Sequence, residues 1–166
     1  CFVKPNNAGS SFGISKVNKI EEFDVALKTA FKEDSEILIE SFLDGIEVSI
    51  GVIQYKGEIL VLPITEIVSE NDFFDYEAKY LGKSEEITPA RISNIQRDNV
   101  SKAAKHIYKS LNMSGFSRSE FIFKGDEPFF LEMNTVPGMT EASLLPQQAK
   151  IAGIDLTDLL TDTIDR

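Results

Sequence analysis

The apolar positions along the chain change period several times, and each change marks an element. Residues 2–3 open an extended segment, 14–17 form a second, and from Asn18 the pattern turns helical, with Ile20, Phe23, Leu27 and Phe31 recurring at helical spacing. Asn18 with Glu21 three residues on resembles a capping box with Asn as the cap. Extended, apolar-rich segments return over 36–42, 47–54 and 59–67, divided by Leu43-Asp44-Gly45-Ile46 and by the turn Tyr55-Lys56-Gly57-Glu58. A second helix is expected from Ser93 or Asn94 to about Leu111, with Val100, Ala104, Ile107 and Leu111 on one face. Strands over 116–123 and 129–134 follow, and Pro137-Gly138 breaks the chain. A helix over 141–152 stops at Gly153, and Asp155 caps a last helix with Leu156, Leu159, Leu160 and Ile164 inward. Tight turns between neighbouring strands, interleaved with helices, predict an α+β fold with largely antiparallel sheets and packed helices.

Residues 69–92 stand apart from this pattern. They are polar and aromatic without a clear period, and a connection of that length inside a domain is usually functional or disordered. The run Phe73-Phe74-Asp75-Tyr76-Glu77-Ala78-Lys79-Tyr80 favours function.

The length of 166 residues suits one core, with room for two lobes, that buries about 70% of the unfolded surface. Seventeen basic against 27 acidic residues leave a net charge of -10, which argues against nucleic acid or an anionic membrane as partner. No apolar run approaches the length of a membrane span. A single cysteine, Cys1, excludes an intrachain disulfide and a Cys-rich zinc site and points to a reducing compartment, the cytoplasm. His106 is the only histidine and is expected on an exposed helix face, so no imidazole metal triad can be built, and neither a Ser-His-Asp nor a Cys-His hydrolase pattern finds support. A start at Cys-Phe-Val-Lys has the character of a fragment, with partners of the first strand expected upstream.

The chemistry concentrates in the 116–134 hairpin. Pairing symmetric about Asp126, in the turn Lys124-Gly125-Asp126-Glu127-Pro128, places Glu120 opposite Glu132 and Arg118 opposite Asn134, all four on one face. Ile122 and Phe130 join that face nearer the turn, while Phe121, Phe123, Phe129, Leu131 and Met133 form the core side. Two carboxylates about 4 Å apart repel by roughly 4 kcal/mol at an effective dielectric of 20, so the pair calls for a proton, an arginine or a metal. Carboxylate plus amide oxygen suits a hard cation such as Mg²⁺; a surface ladder of ion pairs centred on Arg118 is the alternative. The Pro137-Gly138-Met139-Thr140 loop adds backbone N–H groups able to receive an oxyanion. Lys4 ahead of Gly9-Ser10-Ser11 can meet a phosphate, or the loop is a flexible connection. Lys79 between Tyr76 and Tyr80 is likewise a phosphate cation or a solvated lysine.

Three segments together resemble the D-alanine:D-alanine ligase family: Val3-Lys4-Pro5 with Gly9-Ser10-Ser11-Phe12-Gly13, Phe74-Asp75-Tyr76-Glu77-Ala78-Lys79-Tyr80, and Leu131-Glu132-Met133-Asn134-Thr135-Val136-Pro137-Gly138-Met139-Thr140. The resemblance implies an ATP-grasp fold, with residues 1–43 the remnant of an incomplete first subdomain and 44–166 the second. It implies ATP and Mg²⁺ (or Mn²⁺) as cofactors and two molecules of D-alanine as substrates. The amino-terminal domain of the same chain would be missing, a homodimer of the parent is compatible, and the setting would be peptidoglycan synthesis in the bacterial cytoplasm.

By position, the resemblance assigns Lys4, Ser11, Glu40, Ser41, Leu43, Glu47, Phe73, Lys79 and Leu131 to ATP. It gives Glu120, Glu132 and Asn134 to the metal, and Arg118 and the Gly138 N–H to the tetrahedral oxyanion. Ser10 and Tyr80 would orient the first amino acid and the closing loop, and Ser143 with Leu144 would seat the second D-alanine carboxylate. The chain departs from the family pattern at Glu120, where many relatives carry Asp, and at Ser41-Phe42, where a Lys-Trp pair is frequent. Another ATP-grasp carboxylate-amine ligase, or a fragment that only binds nucleotide, is the rival expectation.

Overall fold

Strand β1 (Phe2–Pro5) alternates half-buried and buried residues, with Val3 fully enclosed. It pairs antiparallel with β2 (Ser15–Lys16) on one edge and β3 (Ile37–Glu40) on the other, giving the order β2-β1-β3. β1 thus has a neighbour from within the chain on each edge, β3 along its whole length and β2 at Phe2 and Val3, where upstream partners were expected. The computed structural model describes residues 1–9, 11–69 and 84–165. The chain divides into two units, Cys1–Leu43 with Ser69–Glu85 and Asp44–Val68 with Glu86–Arg166.

In the first unit, helix α1 (Phe23–Glu33) lays Ala26 and Ala30 on Val3 and Val17, flanked by Phe23 and Leu27. Small alanines let the helix approach the short sheet, so the buried stripe runs through them, and Ile20 and Phe31, expected inward, are exposed. The expected Asn18 and Glu21 box does not form. A 3₁₀ turn (Ile20–Glu22) precedes α1, and the carboxylate of Glu22 accepts the N–H groups of Asn18 at 2.9 Å and Lys19 at 3.3 Å. These bonds favour the charged form and hold the Glu22 carboxyl below its usual range.

The spine of the second unit is β4 (Ile46–Tyr55). One edge pairs with β8 (Phe116–Lys124), from Ile46 against Phe123 to Ile53 against Phe116. The other edge is shared by β5 (Glu58–Val61) and β6 (Thr65–Ser69). The single strand expected over 59–67 is therefore two, because Pro63 lacks an N–H and interrupts the ladder. β7 (Ser84–Ile87), inside the stretch with no clear period, extends the sheet past β6, and β9 (Glu127–Asn134) closes the far side: β7-β6-β4-β8-β9.

This sheet has two differently covered faces. Val48, Ile50, Val52, Phe121 and Phe123 pack on Val100, Ala104 and Tyr108 of helix α2 (Asn94–Ser110). A Ser93 and Gln96 capping box starts that helix. Tyr108 takes the inward place expected of Leu111, which is exposed, and its hydroxyl donates to the Gly115 carbonyl at 3.0 Å. On the opposite face Ile53 and Leu62 are covered by Leu145 and Ala149 of α3 (Leu144–Ile151) and Leu159 of α4 (Leu156–Ile164). Asp155 caps α4 through the N–H groups of Thr157 and Asp158 as expected. Ile164 is exposed, so only part of the expected inward stripe is buried.

Candidate functional site

The hairpin β8–β9 carries the polar face. Arg118 lies opposite Asn134 and Glu120 opposite Glu132, as alternation about Asp126 predicts. Nearer the turn that register fails. Lys124 pairs with Glu127 around a two-residue turn, Gly125–Asp126, whose carbonyls accept the side-chain amides of Gln96 at 2.8 Å and Asn99 at 2.9 Å. The one-residue difference is absorbed between Glu120 and Phe121, where Leu131 becomes the extra residue of a bulge. Phe130 consequently faces Phe121, ring centroids 5.6 Å apart, and Phe129 faces Ile122, the reverse of the expected arrangement. The bulge lets an aromatic end and a polar end coexist on one hairpin.

At the polar end Arg118 Nη2 donates to Glu120 Oε1 at 3.0 Å, and both side chains are largely buried. Across β8, Gly51 and Ser49 of β4 pair with Arg118 and Glu120, and Glu47 pairs with Ile122. Glu47, Ser49 and Gly51 therefore share the quartet's face. Two buried polar atoms on that face, Arg118 Nε and Ser49 Oγ, have no hydrogen-bond partner among the described residues. Orphaned buried donors are costly, and they fit a site that is completed by oxygen atoms of a ligand. Glu86 of β7 feels the field of Arg118: it keeps exposed surface, yet crowding pushes its carboxyl above the usual range while the guanidinium opposes the shift.

The donor set suits a hard cation. Glu132 is exposed, Glu120 is buried with one oxygen on Arg118, and Asn134 Oδ1 accepts the Val136 N–H at 3.0 Å with a second lone pair remaining. Among the described residues no three His, Cys, Asp or Glu side chains gather as a metal cluster, so Asn134 would be the third protein oxygen.

Beyond Asn134 the chain folds onto the start of α3. Ser143 Oγ is 2.9 Å from Thr140 Oγ1 and accepts the Thr140 N–H at 3.3 Å, while the Ser143 N–H donates to the Thr140 carbonyl at 2.9 Å. Leu144 is buried, which leaves its backbone rather than its side chain as a contact for a ligand.

In the first unit Lys4 and Glu40 share one face of the small sheet. Lys4 Nζ lies 2.8 Å from a carboxylate oxygen of Glu40, with Ser41 exposed and Leu43 half-buried just beyond. Ser11 adopts a φ of 61°, a left-handed conformation that tightens the loop after Gly9. Ser10, Phe73, Lys79 and Tyr80 lie outside the described residues.

A family model described as D-ala D-ala ligase C-terminus matches residues 1–165. The chain belongs to that family. It is 67% identical over 165 residues to a D-alanine–D-alanine ligase of Flavobacterium johnsoniae and 62% identical over 165 residues to one of Christiangramia forsetii, each match covering 99% of this chain and 51% of the relative. Among solved structures, a D-alanine–D-alanine ligase from Bacillus anthracis complexed with ATP superposes with a TM-score of 0.81 at 33% identity, covering 99% of this chain and 50% of that one. The VanG D-Ala:D-Ser ligase of Enterococcus faecalis superposes at 0.85 with 38% identity, covering 99% and 48%. The α+β, antiparallel architecture is therefore the ATP-grasp architecture of the D-ala D-ala ligases, and the chain spans about half the length of the relatives it matches.

Strand alternation about the hairpin turn pointed to the quartet, but nothing in the sequence singled out Gln148, Thr65 or Glu86. Gln148 reaches β4 from about a hundred positions away, and no local spacing signals that.

Proposed function

We propose that the intact protein carrying this chain is a D-alanine:D-alanine ligase. In this reaction the γ-phosphate of ATP passes to the carboxylate of one D-alanine. The amine of a second attacks the resulting acylphosphate, forming the amide bond and releasing phosphate. The observation that carries the proposal is the hairpin register, which sets two carboxylates, an amide oxygen and a buried guanidinium with an unpaired Nε on one face.

Glu120, Glu132 and Asn134 would hold Mg²⁺ or Mn²⁺, which supplies positive charge against the phosphate oxygens when bound. Arg118 and the Gly138 N–H would receive the developing oxyanion, a preorganised role that needs no reorganisation during reaction. Lys4, Ser11, Glu40, Ser41, Leu43, Glu47, Phe73, Lys79 and Leu131 would bind ATP, Ser10 and Tyr80 would orient the first D-alanine, and Ser143 with the Leu144 N–H at the start of α3 would seat the second carboxylate. The product would serve peptidoglycan synthesis in the bacterial cytoplasm. Because relatives are twice as long, residues 1–166 alone are proposed to lack ligase activity: losing one substrate's site forfeits an orientation term that can reach about 7 to 11 kcal/mol.

The test is to supply the intact enzyme with ATP, Mg²⁺ and D-alanine, then with D-serine or D-lactate as the second substrate. D-alanyl-D-alanine formed with one phosphate per dipeptide is expected. A product only with another acceptor, or nucleotide binding without dipeptide, would overturn the proposal.

A further inference from the structure

Between Ser49, which pairs with Thr65 of β6, and Val52, which pairs with Val61 of β5, the edge of β4 that these two strands share passes a gap where the chain turns through Leu62, Pro63 and Ile64. The Gly51 carbonyl is met there by the Leu62 N–H at 2.8 Å. The remaining groups are met by one side chain from a helix. Gln148 of α3, fully buried, accepts the Gly51 N–H on Oε1 at 2.9 Å and donates from Nε2 to the Ser49 carbonyl at 3.0 Å and to Thr65 Oγ1 at 2.9 Å. Thr65 Oγ1 is in turn 2.7 Å from Thr88 Oγ1.

The amide has one workable orientation, since the Gly51 N–H can only donate and the Ser49 carbonyl can only accept. Gly51 has no room for a side chain: a Cβ would stand 2.7 Å from Gln148 Oε1 and 2.8 Å from Leu62 Cδ1. The two β4 residues that Gln148 grips are those paired with Glu120 and Arg118, and Gln148 lies little more than one turn into the helix that begins after Ser143.

We propose that Gln148 is a positioning residue, tying the start of α3 to the strand that backs Arg118 and Glu120 and so setting the second amino-acid seat against the reacting centre. This rests on the ligase proposal above. A glutamine serving only to satisfy buried backbone would affect stability alone; a positioning residue must also separate the two substrates' kinetics.

The experiment uses the intact enzyme with Gln148→Met, which keeps length and removes every hydrogen bond of the amide, and Thr65→Val, which keeps shape and removes only one of them, together with the Thr65–Thr88 contact. Gln148→Met is expected to raise the KM of the second D-alanine about tenfold and lower kcat while the KM for ATP moves less than about twofold. Thr65→Val is expected to shift in the same direction by less, and the double variant to fall short of the sum of the two single effects, as one shared contact requires. If Gln148→Met does not fold, the KM split of Thr65→Val decides. Unchanged or equally shifted KM values, even with a lowered melting temperature, would overturn the positioning role. Hydrogen exchange at the Gly51 amide, read without turnover, is expected to quicken in Gln148→Met, and unchanged exchange would overturn the tie itself. Absence of dipeptide from the unaltered enzyme would instead overturn the ligase proposal.

Discussion

Gly138 approaches Ser143 so closely that a Cβ at position 138 would stand 2.7 Å from the Ser143 Oγ. That oxygen is already engaged by Thr140, through both its hydroxyl and its N–H, so it cannot retreat without breaking the turn into α3. Gly138→Ala is therefore expected to disturb the proposed oxyanion donor and the proposed carboxylate seat together. Steady-state kinetics should show kcat/KM for D-alanine lowered about tenfold or more, with the KM for ATP little changed. Wild-type kinetics in the variant would show that the loop yields freely.

Glu66 and Arg91 form an ion pair whose titration should be visible in stability. Arg91 donates from Nε and Nη2 to the two Glu66 oxygens, both at 2.8 Å, and from its backbone N–H at 3.1 Å. These bonds outweigh desolvation and hold the Glu66 carboxyl below its ordinary range. A carboxyl depressed in the folded state adds stability that is complete above its unfolded pKa and fades as pH falls through the folded value. Arg91 is 62% exposed, so the pair is discounted to about 1–2 kcal/mol. Glu66→Gln should lower the melting temperature at pH 7, with the gap to wild type shrinking below about pH 4.5. A gap independent of pH would assign the loss to packing.

The polar quartet was legible because strand alternation and a nearby turn constrain it. Glu120 and Glu132 lie close enough to that turn for register to be inferred, and the inference survived an error in the turn itself because the bulge at Leu131 cancels it. The anchoring of Gly125 and Asp126 by Gln96 and Asn99 is tertiary, so no pattern within the hairpin could disclose it. Helix faces were legible only in part. Ala26, Ala30 and Tyr108 are buried where Ile20, Phe31 and Leu111 were expected, because proximity to the sheet rather than hydrophobicity selects the inward residue. Pro63 was in plain view as a strand breaker, yet the apolar run around it read as continuous.

Lys4 and Glu40 separate a structural from a functional cation. A partly exposed pair at 2.8 Å contributes at most about 1 kcal/mol, so Lys4→Met should barely change the melting temperature. If Lys4 meets ATP phosphates, the same variant should raise the KM for ATP about tenfold or more. Unchanged ATP kinetics would leave Lys4 as the partner of Glu40 alone.

The central claim is that Glu120, Glu132, Asn134 and Arg118 form one phosphoryl-transfer site. Glu132 offers the cleanest test, since it is exposed and its replacement leaves the buried Arg118–Glu120 bond intact. The decisive measurement is D-alanyl-D-alanine formation by intact Glu132→Gln enzyme across a Mg²⁺ titration, with folding checked by thermal melting. The account predicts a folded enzyme whose turnover falls at least about a thousandfold at Mg²⁺ concentrations that saturate the wild type. Wild-type turnover at the wild-type Mg²⁺ requirement would contradict it.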